Sequence, residues 1–159
     1  MFGNLTFNYK LPSLNKLKHK YFHKELVFTP ETLKEFDGTD PTKPIYLAVL
    51  GKVYDVSAGR EHYGPGGGYS FFSGRDAGRA FVTGCFETHL TPDLRGLSAE
   101  QLKGVDEWRE FYDNHDQYFY VGTVVHPPID PNTPIPKHCD EEPEAGGLAG
   151  TGGEKPVDK

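Results

Sequence analysis

The sequence predicts a single α+β domain in which a small sheet packs against short helices. Its 159 residues, 36% of them hydrophobic, are enough for one domain with a core and too few for two ordinary domains. Two β-rich runs flank a glycine-containing turn, and a third run, YFYVGTVV at 118–125, follows a helical pattern. Such a mixture of strand and helix patterns is typical of the α+β class.

The first predicted elements are a capped helix and a hairpin. In FTPETLKEFDG, Thr29 can cap a helix, Pro30 suits its first position and Gly38 can end it. The runs 45–50 and 53–56 then predict two strands, joined at Gly51-Lys52 by a tight or bulged turn.

Two further helices are predicted after the hairpin. The first covers 76–82, with Asp76 near its N-terminus, where a carboxylate is favoured. The second begins in LSAEQLKGVDEWREFYDNHD, where Ser98 and Gln101 form a capping box. Its apolar residues recur at helical spacing, namely Leu102, Val105, Trp108 and Phe111 or Tyr112. The run 118–125 is expected to complete the sheet.

Composition divides the chain into three parts. Residues 1–27 contain five lysines and one glutamate, which predicts a basic, flexible arm. Residues 28–125 form the predicted folded domain. Residues 126–159 are rich in proline, glycine and acidic residues, which predicts a disordered tail. Charged ends of this kind are typical of solvated segments, and the alternative for the arm is contact with an anionic membrane surface.

The composition also excludes several functions. A net charge of −6 argues against nucleic-acid binding as the main task. No apolar run has the length of a membrane span, and the N-terminal sequence lacks the core of a signal peptide. Cys85 and Cys139 are too few and too far apart in sequence to predict a zinc site. They are expected to be free thiols, and the alternative, a disulfide between them, requires an oxidising compartment. Cys85 with His89 predicts no catalytic pair, because no third group accompanies them.

The stretch REHYGPGGGYSFFSGRD, residues 60–76, combines glycines with aromatic rings. It lacks the GxxxxGK[ST] motif and the βαβ context of a nucleotide-binding loop, so phosphate binding is disfavoured. A tyrosine phenolate can bind ferric iron, and a flat porphyrin fits a slot of apolar rings with glycine where the backbone lies close. The stretch therefore predicts either a ligand pocket of this kind or a tight structural turn.

The order of these motifs resembles a known family. FTPETLKEFDG, IYLAVLGKVYDVSAGREHYGPGGGYSFFSGRDAGRAF, the helix with Trp108 and YFYVGTV together resemble the cytochrome b5-like haem/steroid-binding domain. More narrowly, they resemble the membrane-associated progesterone receptor family, and within it the neuferricin group and related fungal proteins. The resemblance covers about 28–125, and it implies a cytochrome b5-like fold with a small mixed sheet and short helices that form a ligand cleft.

The resemblance implies non-covalent binding of haem b. By position, Tyr69 matches the axial ligand of the haem iron, while Tyr63 and Tyr118 match supporting tyrosines of the pocket. Gln117 stands where some relatives have lysine, so one positive partner for a haem propionate is missing. The pocket walls are expected to come from three phenylalanines, Phe71, Phe72 and Phe81.

His62 provides the competing hypothesis for the iron. It lies two positions earlier than the histidine of the HPGG motif in cytochrome b5 proper, and no second histidine matches that protein's other ligand. We therefore expect His62 to be a loop residue near the site, and the alternative is an electron-transfer haemoprotein that uses His62. A second alternative is a steroid- or lipid-binding adaptor in which the tyrosines only shape an apolar pocket.

These expectations imply a haem carrier, a sensor or a regulator of haem-dependent monooxygenases. No catalytic set is visible in the sequence, so we expect a binding protein and not an enzyme. The resemblance implies the endomembrane system or the endoplasmic reticulum, with peripheral attachment. The cytoplasm is the alternative, because the sequence contains no predicted span or signal.

Overall fold

A computed structural model describes residues 14, 16, 17 and 24–141. Four strands form one mixed sheet in the order β1, β4, β3, β2, in which β1 and β4 are parallel and the other two pairs are antiparallel. The strands are β1 (Leu26–Phe28), β2 (Tyr46–Val49), β3 (Lys52–Asp55) and β4 (Phe119–Val124). The predicted α+β class and the small mixed sheet are confirmed.

The helices are short, with one exception. They are α1 (Pro30–Leu33), α2 (Arg60–Tyr63), α3 (Gly78–Thr83) and the longer α4 (Ala99–Asn114), with 3-10 turns at Lys34–Phe36, Ser57–Gly59, Ser70–Phe72 and Cys139–Glu141. None of the helices in the described part of the chain has the length and apolar character that a membrane crossing requires.

Both predicted helix caps are confirmed. Thr29 caps α1 in a reciprocal box with Thr32, and Ser98 does the same for α4 with Gln101. In each box a side-chain oxygen accepts a backbone N–H that the first helical turn leaves without a partner.

The hairpin turn lies one residue earlier than predicted. Its central residues are Leu50 and Gly51, with φ of 52° and 77°. A two-residue turn with both central residues in the left-handed region matches the twist of the flanking strands, and glycine adopts that region without steric cost.

The sheet has a hydrophobic core on each face. Alternation along β2 sends Leu47 and Val49 to one face and Tyr46 and Ala48 to the other. The first face packs against the aromatic residues of α2, α3 and α4, and the second is covered by α1 through the fully buried Leu33. The aromatic site therefore lies on one defined side of the sheet.

Strand β1 was missed by the sequence analysis, which assigned residues 26 and 27 to the flexible arm. Leu26 pairs with Gly122 of β4, where an added Cβ would lie 2.0 Å from the Leu26 carbonyl oxygen. The close approach of the two strands thus depends on glycine at 122. The rest of the predicted arm, apart from residues 14, 16, 17, 24 and 25, lies outside the described residues.

Residues 126–141, which we call the C-terminal strap, lie against the domain. The prediction of disorder from His126 onwards is wrong for this part. The almost fully buried Arg79 donates to the carbonyl oxygens of Asp93 (3.1 Å), Arg95 (2.8 Å) and Pro136 (3.1 Å). The strap is ordered by hydrogen bonds from side chains of the domain. The amino-acid composition of the strap could not reveal these contacts. Residues 142–159 lie outside the described residues.

A disulfide joins Cys85 to Cys139, with the two Cα atoms 5.7 Å apart. The expectation of two free thiols is therefore wrong, and the alternative pairing is the one observed. The bond closes a loop with a sequence separation of 54. A cross-link that closes a loop of that length lowers the entropy of the unfolded chain, and it is expected to stabilise the folded state by up to about 4 kcal/mol.

Asp76 anchors the start of the strap. Its buried carboxylate accepts from the backbone N–H groups of Gly51 (2.9 Å) and Gly78 (3.2 Å), and it lies 3.0 Å from Nε2 of His126. The sequence analysis placed Asp76 at the start of a helix, but α3 begins two residues later. The hydrogen bond to Asp76 raises the pKa of His126, while burial acts in the opposite direction.

This pair predicts a pH dependence of stability. Because the folded-state pKa of His126 is raised, its contribution is complete below the unfolded value of about 6.5 and is lost as the pH rises through the folded value. His126→Gln should therefore lower the free energy of unfolding by about 1 to 2 kcal/mol at acidic pH and by less at alkaline pH. Urea unfolding across this range measures the difference. In the Asp76→Asn background the effect of His126→Gln on the free energy of unfolding should no longer depend on pH. A pH dependence of this effect that persists there would contradict the assignment.

Candidate functional site

The glycine loop, residues 64–68, brings the chain back onto α2. The N–H of Tyr69 donates to the carbonyl oxygen of His62 at 2.9 Å, and the N–H of Gly67 donates to that of Gly64 at 3.0 Å. An added Cβ at Gly67 would lie 2.3 Å from the His62 carbonyl oxygen, and Gly66 has φ of 81°. Most of the glycines thus allow the loop to fold back on itself. Gly68 differs, because its φ is not positive and an added Cβ would meet nothing within 4 Å.

Tyr69 is half-buried within a group of rings. Its ring centroid lies 6.2 Å from that of Tyr63, 6.3 Å from His62 and 6.4 Å from both Phe71 and Phe72. Among the described residues, none forms a hydrogen bond with the Tyr69 hydroxyl. The loop thus fixes the backbone of this tyrosine, while its phenol oxygen stays available to a ligand.

Tyr63 is fully buried and pairs with a tyrosine that the sequence analysis did not assign to the site. Its hydroxyl lies 2.8 Å from the hydroxyl of Tyr112 on α4. The helical spacing placed Tyr112 on the buried face of α4, but only the fold reveals which side chain it meets. The hydroxyl pair joins α2 to α4 beneath Tyr69.

Tyr118 packs into the same cluster from the other side. Its ring stacks on His115 at 3.7 Å with 9° between the planes, and meets Tyr63 edge-on at 5.8 Å. A Cβ atom added to Gly59 would lie only 2.1 Å from the hydroxyl oxygen of Tyr118. Tyr118 thus occupies space that the absence of a side chain at 59 provides.

The predicted phenylalanine walls differ in depth. Phe72 and Phe81 are stacked at 4.1 Å and are almost fully buried, so they form the floor. Phe71 is half-buried and stacks at 4.5 Å on Phe86, which the sequence analysis missed. Phe71, which lies beside Tyr69, and Phe86, which packs on Phe71, are therefore the phenylalanines of this group that stay partly exposed. We call the set the tyrosine pocket, and its members are Tyr63, Tyr69, Phe71, Phe72, Phe81, Phe86, Tyr112 and Tyr118.

His62 and Gln117 border this pocket. The His62 Nε2 lies 3.4 Å from the carboxylate of Glu61. Gln117 is exposed, and its N–H donates to Nδ1 of His115 at 3.0 Å. Lys16 donates to the carbonyl oxygen of His115, which brings an ammonium group to this edge. Burial lowers the pKa of Lys16, although the carboxylates of Asp116 and Asp113 act in the opposite direction.

Two tyrosines in the strands of the sheet donate hydrogen bonds to carboxylates. Tyr54 donates to Asp113 at 2.7 Å, and both burial and this bond raise its pKa. Tyr120 donates to Glu25, and burial together with this bond raises its pKa to about 12. A neighbouring carboxylate disfavours a phenolate. These two tyrosines are therefore poor anionic ligands, in contrast to the unbonded hydroxyl of Tyr69.

Two cavities lined by described residues do not include Tyr69. One, of about 410 Å³, lies along α4 beside Phe111 and His115. The other, of about 400 Å³, lies between α1 and the strap, beside Leu33 and His126. The first of these adjoins the tyrosine pocket through the stack of His115 on Tyr118.

Comparison with known proteins matches a family model to residues 29–125, described as the cytochrome b5-like heme/steroid binding domain. The chain is 52% identical over 100 residues to a neuferricin homolog of Caenorhabditis elegans, which covers 62% of this chain and 30% of that protein. It is 46% identical over 114 residues to membrane-associated progesterone-binding protein 4 of Arabidopsis thaliana, which covers 71% of this chain and 45% of that protein. The chain thus spans less than half the length of these curated relatives.

A solved structure supports the same fold. The solution structure of a putative steroid-binding protein from Arabidopsis aligns with a TM-score of 0.57 at 39% identity, over 64% of this chain and 99% of that one. The fold and the family resemblance predicted from the sequence are confirmed.

Proposed function

The chain belongs to the family of cytochrome b5-like haem/steroid-binding domains, and on that premise we propose that it binds haem b non-covalently, with the phenolate oxygen of Tyr69 as the axial ligand of the iron. The observation that carries the proposal is that Tyr69 is half-buried among aromatic rings while its hydroxyl has no hydrogen-bond partner among the described residues. The hydroxyl oxygen is thus open to a ligand, and a ferric ion beside it would favour the anionic form.

The surrounding residues fit a flat, largely apolar ligand. Phe71 lies beside Tyr69 and stacks on Phe86, so the two phenylalanines offer an apolar surface next to the phenol. At Gly68 the backbone has no side chain, although the space around an added Cβ is free of protein atoms. We assign to the buried Tyr63–Tyr112 pair the role of holding the wall beneath Tyr69 in place. Lys16 is the cation that we propose as a substitute for the lysine that Gln117 replaces.

Haem held in this way would supply a five-coordinate ferric centre. An anionic oxygen ligand stabilises ferric over ferrous iron, so the reduction potential of such a centre is low. This suits a haem carrier, a sensor or a regulator of haem-dependent monooxygenases better than rapid electron transfer. We propose a binding role and not a catalytic one.

A steroid or lipid is the second candidate ligand. The names of the relatives include a progesterone-binding protein and a putative steroid-binding protein. The same rings, Phe71, Phe86 and Tyr69, offer an apolar surface with one hydroxyl, which also suits a steroid. Binding of haem distinguishes the two candidates.

We further propose peripheral attachment within the endomembrane system or the endoplasmic reticulum. The lysine-rich segment that precedes β1 supports this proposal, because anionic lipid headgroups attract such a cluster.

The ferric haem spectrum tests the ligand. The wild-type chain should bind haemin and give the spectrum of an oxygen-ligated, five-coordinate ferric centre. Tyr69→Phe should lose that spectrum and weaken binding by at least about ten-fold, because the iron loses its only protein ligand. His62→Ala should leave the spectrum unchanged.

Tyr46→Phe is the matched control, because Tyr46 lies in the core on the other face of the sheet. An unchanged spectrum in Tyr69→Phe would refute the tyrosinate ligand, and bis-histidine bands that vanish in His62→Ala would favour electron transfer. A wild-type chain that binds a steroid but no haemin would favour the adaptor.

Gly68 gives an independent test of where the ligand lies. Gly68→Leu should weaken haemin binding by at least about ten-fold while the melting temperature stays within about 2 °C, because Gly68 is exposed, its added Cβ meets no protein atom within 4 Å, and the longer side chain would enter the space proposed for the ligand. Gly68→Ala should have a smaller effect in the same direction. Equal affinity in the wild type and Gly68→Leu would show that the ligand does not approach this loop.

A further inference from the structure

Three side chains with metal-binding atoms meet where the strap ends. One ligand atom from each of Cys85, His138 and Cys139 lies within 4.8 Å of the other two. The two sulfur atoms are joined as a disulfide. We propose that reduction of this disulfide converts the cluster into a binding site for a zinc-type divalent cation, with Cys85, Cys139 and His138 as ligands.

Contacts other than the disulfide also hold the strap next to Cys139. Arg79 donates to the carbonyl oxygen of Pro136, and His89 Nε2 lies 2.5 Å from that of Lys137. His89 is itself buried, with Nδ1 2.9 Å from the hydroxyl of Thr83. These contacts fix the strap immediately before His138. The two thiols would therefore remain neighbours after reduction.

The chemistry of the donor set suits a cation of this class. Thiolate and imidazole are the ligands that zinc prefers, and three protein ligands leave a fourth position for water. The backbone N–H of Cys139 also donates to the Cys85 sulfur at 3.3 Å. The sulfur atoms must separate from bonding distance to about 3.8 Å to bind the cation in tetrahedral geometry.

Asp140 supports the role of His138. Two groups of Asp140 lie beside Nδ1 of His138: the backbone N–H donates to this nitrogen at 3.2 Å, and a carboxylate oxygen lies 3.2 Å from it. Metal binding through Nε2 requires the tautomer in which Nδ1 carries the proton, and in that tautomer Nδ1 would donate to the carboxylate instead of accepting from the backbone. A carboxylate in this position orients a metal-binding imidazole and raises its basicity. The His138 side chain is 40% exposed, so a cation can reach it from solvent.

The exchange is balanced as follows. A cellular dithiol transfers two electrons and two protons to the Cys85–Cys139 bond, which gives two thiols, while the dithiol becomes a disulfide. The cation then displaces the two thiol protons and binds both sulfur atoms. The strap is thus linked to the domain by a covalent bond under oxidising conditions and by a metal ion under reducing conditions. Cys85 directly precedes Phe86 of the tyrosine pocket, but no member of the cluster belongs to that pocket, and the proposal does not depend on haem binding.

Cobalt titration of the full chain tests this proposal. After reduction and anaerobic removal of the reductant, one cobalt ion per chain should bind and give thiolate-to-cobalt charge-transfer bands together with the visible bands of tetrahedral cobalt. The oxidised chain should give neither set of bands, because both sulfur atoms are joined in the disulfide and neither is available as a thiolate ligand. Cys139→Ser should abolish the charge-transfer bands, and His138→Ala should weaken binding by at least about ten-fold.

His126→Ala is the control, because it removes a strap histidine outside the cluster and should bind cobalt as the wild type does. Circular dichroism of each reduced variant reports whether the domain remains folded. Equal cobalt binding by His138→Ala, by the oxidised chain or by the chain in denaturant would overturn the proposal. A reduced chain that binds no cobalt, folded or unfolded, would overturn it as well.

Discussion

The candidate site depends on one backbone hydrogen bond, from the N–H of Tyr69 to the carbonyl oxygen of His62. It closes the glycine loop onto α2, and it can form only because Gly67 has no Cβ to strike the same carbonyl group. With the loop closed, the Tyr69 ring faces the aromatic cluster and its hydroxyl remains unbonded among the described residues. Most glycines of the loop are thus required by the conformation of the loop itself. Gly68 is the one glycine of the loop for which the described residues show no such requirement. Haem clearance, which the sequence suggested for the whole stretch, is therefore proposed only at Gly68.

The second structural constraint is the attachment of the strap to the domain. Asp76 holds its start through His126, Arg79 and His89 hold its later part, and the disulfide at Cys139 closes it. These contacts cross from one end of the chain to α3 and the loop after it. Since α3 packs against α4, which carries Tyr112, the strap supports the helices that form the floor of the tyrosine pocket. The strap is in this sense part of the domain and not an appendage.

Local patterns predicted most of the fold, because caps, strand runs and helical spacing depend on neighbouring residues. The Thr29 cap, the capping box of Ser98 and Gln101, the hairpin strands and α4 followed from such signals. Strand β1 did not, because three residues next to a lysine-rich segment give no periodicity and their pairing with β4 is distant in sequence. The order of the strap was missed for the same reason, and the disulfide was named only as the alternative to two free thiols. In the site, the grouping of Tyr63, Tyr69 and Tyr118 was predicted through the family resemblance, whereas the partner of Tyr63 and the role of Phe86 required the fold.

The central claim is that the oxygen of a tyrosine binds the haem iron. Resonance Raman spectroscopy of the ferric complex tests it most directly, with the chain produced once with ordinary tyrosine and once with tyrosine that carries a heavy isotope of oxygen on the phenol. We expect an iron–oxygen stretching band that moves to lower frequency in the labelled protein. A ferric complex whose spectrum contains no isotope-sensitive band in that region would contradict the claim.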